Sequence, residues 1–84
     1  MAEHEKLYEH ILVRRSDANV PFAGLCALLK KLGFEERIRG DHYIFTMGQA
    51  EEILNLQPKS GKAKPYQVKQ VRGVILKYNL TLED

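Results

Sequence analysis

Cysteine occurs once, tryptophan not at all and proline three times in these 84 residues. The lone Cys26 excludes an intrachain disulfide framework and a cysteine-based zinc cluster, and it suits a reducing compartment. No apolar run approaches the roughly 20 residues that span a bilayer, and the opening segment MAEHEKLYEHILVRR mixes acidic and basic residues where a signal peptide carries an apolar stretch. Secretion and membrane insertion are therefore not expected, and the cytoplasm is the expected location. Internal repeats and low-complexity runs are missing as well. So, in one region, are acids: Ile53 to Leu82 contains none.

What is present describes a small folded domain. Hydrophobic residues make up 44% and charged residues 29%, a globular balance, and the length leaves room for one core. The formal charge of +2 is unevenly divided, with seven Lys/Arg against nine Asp/Glu in residues 1–52 and six against two in residues 53–84. A basic C-terminal third of this kind suits a polyanion partner or a solvated basic face.

Periodicity predicts the elements. Ala2 to Arg15 reads as a helix with Leu7, Tyr8, Ile11 and Leu12 on one side, followed by a break with capping residues at Ser16-Asp17-Ala18-Asn19. Pro21 opens a second helix in which Phe22, Leu25, Leu28, Leu29 and Leu32 form one stripe, and Gly33 ends it. The period then changes to two. Residues 34–38 and 42–47 read as a hairpin about Arg39-Gly40-Asp41, and residues 52–57 as a third strand stopped by Pro58. Lys59 to Lys64 is expected to be a flexible loop. Pro65 opens a last helix with Val68, Val71, Val74, Ile75 and Tyr78 on its core stripe and Lys69, Arg72 and Lys77 off it. The predicted class is α+β: a three-stranded antiparallel sheet with two helices on one face and an extra N-terminal helix. If Tyr43, Phe45 and Met47 face the core, His42 points outward.

Few residues are placed for chemistry. His4 and His10 are six apart on one helix, which does not bring two imidazoles together as a spacing of four does, and both read as surface histidines. Cys26 lies among Leu25, Leu28 and Leu29, where a thiol behaves as a small hydrophobe. Ser60-Gly61-Lys62 lacks the glycine spacing of a nucleotide-binding loop, and the adjacent pairs Glu35-Glu36 and Glu51-Glu52 send their carboxylates to opposite strand faces. No metal site or cofactor is expected. His42, beside Asp41 at the hairpin mouth, is either a proton-transfer residue or a strand histidine filling a place in the sheet. Lys59, Lys62 and Lys64 run into a helix N-terminus, an arrangement suited to phosphate, and Lys69 and Arg72 extend the basic run.

The ordered set LLKKLGF (28–34), RGDHYIF (39–45), NLQP (55–58) and YQVKQVR (66–72) followed by ILKY (75–78) resembles the HicA family of bacterial toxins over about residues 20–80. The resemblance implies a double-stranded-RNA-binding-like fold of order α-β-β-β-α, with residues 1–15 as an N-terminal helical extension that packs on the domain or makes an oligomer contact. It also implies an endoribonuclease, an mRNA interferase that cleaves messenger RNA and is held inactive by a HicB-type antitoxin protein. The family's catalytic histidine falls on His42. Asp41 stands where a small hydroxyl residue is usual and Tyr43 where a second histidine is frequent.

On this reading His42 moves protons without a metal, and Lys59, Lys62, Lys64, Lys69 and Arg72 hold phosphate. Two other classes use the same sequence features: a non-catalytic double-stranded RNA-binding module, and a protein-interaction domain whose basic face meets an acidic partner.

Overall fold

The computed structural model describes residues 3–13, 16–48 and 50–82. Three helices and three strands follow in the order α1 (Glu3–Leu12), α2 (Phe22–Lys31), β1 (Glu35–Arg39), β2 (His42–Met47), β3 (Ala50–Leu56) and α3 (Pro65–Lys77). The strands form one antiparallel sheet in the order β1-β2-β3. The molecule is thus α+β, as its periodicities predict. Ala2, Arg14 and Arg15, which the sequence includes in the first helix, lie outside the described residues.

The helix ends are set by local chemistry. Beyond α2, Gly33 adopts φ +109°, its N–H donates to Lys30 O at 3.1 Å and Phe34 N–H donates to Leu29 O at 3.0 Å. These two bonds and the left-handed residue make a Schellman motif, which turns the chain sharply into β1. The same motif closes α3, with Asn79 at φ +52° and Leu80 N–H donating to Ile75 O at 2.9 Å. Pro65 starts α3, and the Gln67 side chain accepts a hydrogen bond from Lys64 N–H at 3.2 Å.

One sheet face closes over the core. Phe45, Leu54 and Leu56 join Phe22, Leu25, Leu28 and Leu29 of α2 and Val68, Val71 and Ile75 of α3 in a single buried cluster. Burying each such side chain contributes about 1.5–3 kcal/mol. Phe22 meets Tyr43 edge to face, with ring centroids 4.9 Å apart. α1 packs against α2 and α3, and its Ile11 is part of the same core. The Tyr8 hydroxyl donates to Leu80 O at 2.6 Å, which ties α1 to the segment after α3.

Three local expectations change. β3 begins at Ala50 instead of residue 52, because an irregularity between Phe45 and Met47 shifts the register from Phe45↔Leu54 to Met47↔Ala50 and lets pairing continue past the acidic residues. The loop before α3 is not loose: Ser60 and Gly61 take φ +54° and +77°, both positive as in a type I′ turn, and Lys59 and Lys62 exchange backbone hydrogen bonds of 2.9 and 3.1 Å across it. That turn is further stitched to the start of α2 by Phe22 N–H on Gly61 O and Ala63 N–H on Val20 O. The third change is Arg72, expected on the off-core side of α3 and in fact only 5% exposed.

Candidate active site at the hairpin mouth

Arg39 pairs with His42 across a two-residue turn in which Gly40, at φ +61°, supplies the backbone conformation that a side chain would disfavour. The alternation that sends Phe45 inward sends His42, Ile44 and Thr46 to the opposite, uncovered face. Register places Arg37 beside Ile44 and Asn55 on its other side, so β1 and β3 contribute to the same face. On β3 the buried pair Leu54 and Leu56 fixes Asn55 as outward-facing.

Four polar side chains meet where β2 begins and β3 ends. His42 Nδ1 lies 3.1 Å from Asn55 Oδ1, and Gln57 Nε2 donates to Asp41 Oδ2 at 2.6 Å. The second carboxylate oxygen, Asp41 Oδ1, stands 3.8 Å from His42 Nε2. Both side chains remain open to solvent, His42 at 51% and Asp41 at 64%. The hydrogen bond from Gln57 is the main cause that holds the Asp41 carboxyl below its ordinary pKa, with smaller help from a backbone hydrogen bond and the positive fields of His42 and Lys64. The carboxylate is therefore ionised at neutral pH. Lys64, at the start of α3, makes the smallest of these contributions.

The remaining cations divide into free and occupied. The side chains of Lys59 and Lys69 are exposed and make no ion pair or hydrogen bond with a described residue, and the same holds for Arg37 and Arg39 on the uncovered sheet face. Lys62 Nζ donates to Asn19 Oδ1 at 2.8 Å and Lys77 Nζ to Glu52 Oε1 at 2.6 Å. Arg72 is fully engaged. Its two terminal nitrogens donate to the two oxygens of Asp17, each at 2.8 Å, and one also approaches Ile11 O at 3.4 Å. A guanidinium turned inward onto a carboxylate is not available to a phosphate, so Arg72 leaves the set of candidate RNA contacts. The start of α3 also offers phosphate less than the sequence implies, since Pro65 has no N–H and the amides of Gln67 and Val68 both return to Lys64 O at 2.9 and 3.2 Å.

Asn55 and Gln57 are the site residues that residue-by-residue reading passes over. Their signal is the alternation Leu54-Asn55-Leu56-Gln57, which places two amides on the face to which His42 points. Cys26 stays out of the chemistry: burial pushes its pKa up to about 11, which keeps the thiol protonated. Among the described residues no three His, Cys, Asp or Glu side chains gather as a metal-holding group, and no helix is long and apolar enough to cross a membrane. No family model matches the chain, and neither a curated protein nor a solved structure matches it.

Proposed function

We propose that this chain is a metal-independent endoribonuclease of the HicA type, the toxin of a toxin–antitoxin pair, acting on messenger RNA in the cytoplasm with His42 as its catalytic residue. The observation that carries the reading is the ring of His42: half exposed on an uncovered sheet face, with one nitrogen on Asn55 and the other open beside Asp41. Elements α2 to α3 follow one another as α-β-β-β-α, the order of a double-stranded-RNA-binding-like fold. Arg37 and Arg39 share the face of His42, and Lys64 acts on the same hairpin mouth from the side of α3. Together they can hold a phosphate backbone without reading bases.

The chemistry is a transesterification. The neutral imidazole takes the proton of a ribose 2′-hydroxyl, the 2′-oxygen forms a bond to phosphorus, and the bond from phosphorus to the 5′-oxygen breaks. A proton from solvent or from the imidazolium just formed completes the leaving group. An imidazole both takes and gives a proton, as these steps require. A HicB-type protein that covers this face would block both substrate and proton transfer.

His42→Ala, measured with purified RNA in excess EDTA, tests the reading. The parent chain is expected to cleave and leave 2′,3′-cyclic or 3′-phosphate ends, while the variant keeps its RNA affinity and folded signal and loses cleavage. Cleavage by the variant at the parent rate would sink the assignment. One observation favours a second reading, a non-catalytic RNA-binding module: the ionised Asp41 stands 3.8 Å from the ring, where an approaching phosphate meets a like charge. RNA binding by the parent chain without cleavage would establish that alternative.

A further inference from the structure

An imidazole has two nitrogens, and the reaction proposed above needs the lone pair of the one that faces substrate. The hydrogen bond on the other nitrogen decides which that is. His42 Nδ1 lies 3.1 Å from Asn55 Oδ1, and an amide oxygen only accepts, so a neutral ring makes this bond only when its proton sits on Nδ1. The competing acceptor is Asp41 Oδ1 on the Nε2 side. At 3.8 Å it is beyond hydrogen-bond distance, and Gln57, donating at 2.6 Å to Asp41 Oδ2, holds the carboxylate in that place. The backbone of Asn55 is held in place, because its neighbours Leu54 and Leu56 are 4% and 0% exposed in the core and Leu56 pairs with Tyr43, the residue after His42.

We infer that Asn55 is a positioning residue that fixes His42 in the Nδ1–H form and thereby selects Nε2 as the nitrogen that takes the 2′-hydroxyl proton. The inference rests on the nuclease reading for its chemical half, while its structural half is visible without any substrate. Gln57 plays a supporting part, since it keeps the Asp41 carboxylate from capturing the ring's proton. Neither amide touches the reacting atoms.

Two-bond proton–nitrogen spectra of the ¹⁵N-labelled imidazole, recorded where the ring is neutral, give the test. The parent chain is expected to show His42 as the Nδ1–H tautomer, Asn55→Ala to shift it toward Nε2–H, and Asn55→Asp, whose carboxylate also accepts, to restore Nδ1–H. In parallel, Asn55→Ala is expected to lower kcat for RNA cleavage on the order of a hundredfold, with little change in RNA affinity, and Asn55→Asp to recover part of it. A parent ring in the Nε2–H form, or a tautomer that Asn55→Ala leaves unmoved, overturns the inference. So does unchanged cleavage in a variant whose tautomer has shifted. A ring that behaves as expected in a protein that cuts no RNA supports the role of Asn55 in orienting His42 and sinks the nuclease reading instead.

Discussion

Arg72 and His42 are each held by an oxygen acceptor from a distant part of the chain, but they point in opposite directions. Arg72 is sealed under the loop between α1 and α2, its side chain 6% exposed, with every donor that reaches Asp17 or Ile11 satisfied inside the protein. His42 is held just as specifically by Asn55, yet half of its surface is open and one ring nitrogen faces solvent. The first arrangement saturates a charge and ties α3 to α1 and to the loop that follows it. The second fixes the orientation of a titratable ring and leaves its reactive edge unoccupied. A charge count along the chain tallies Arg72 with the exposed lysines and leaves His42 out, whereas their surroundings assign the first to the fold and the second to whatever approaches the sheet.

The comparison breaks most visibly if Arg72 is not structural. Arg72→Met is expected to lower unfolding free energy by about 3 kcal/mol, since it leaves the Asp17 carboxylate partly buried without its partner. Urea unfolding followed by circular dichroism measures this, and adding Asp17→Asn should restore part of the loss. An Arg72→Met protein of unchanged midpoint would mean that the pair contributes nothing and that Arg72 is free for other work.

A smaller effect sharpens where RNA lies relative to the two clusters. Replacing Arg37 and Arg39 together by Gln should flatten the salt dependence of binding to single-stranded RNA by about 1.4 units, close to 0.7 for each lost phosphate contact. Lys59→Gln with Lys69→Gln should flatten it less. Fluorescence anisotropy across a salt series distinguishes the pairs, and the reverse order would move the RNA path to the side of α3, away from His42.

The smallest expected change concerns Gln57. Its hydrogen bond depresses the Asp41 pKa, so the associated stability is fully present above the unfolded value of about 3.9 and is lost as pH falls through the lower folded value. Gln57→Ala should bring the Asp41 titration, followed by ¹³C NMR of the carboxyl carbon, back toward its ordinary position. A titration curve that does not move would show that the Gln57 bond is not formed in solution.

Much of the architecture was legible because its signals are local. Gly33 and Pro65 mark where helices stop and start, the leucine stripe of α2 repeats within a few turns, and the alternation from His42 to Met47 predicts an outward histidine. Arg72 departs from its expected place because its position flanks the Val68, Val71 and Ile75 stripe, so only its charge argues for solvent, while its partner Asp17 lies 55 residues away. The same holds for Lys62, whose acceptor Asn19 is 43 residues distant, and for His42 and Asn55, 13 apart on neighbouring strands. Local patterns specify which side of an element is apolar. They do not say which polar group will find a partner once the elements are assembled.

The hydrogen bond from Tyr8 to Leu80 bears on the order in which the protein is made. A ribosome completes α1 long before residues 72 and 80 exist, so during synthesis the acceptor for Tyr8 and the donor for Ile11 are both missing. The leucine-rich α2 emerges next, also ahead of the α3 residues that complete its core. Until α3 and Leu80 leave the exit tunnel the nascent domain lacks these closing contacts, and whatever activity resides at His42 must wait for a sheet whose supporting helix is made after it.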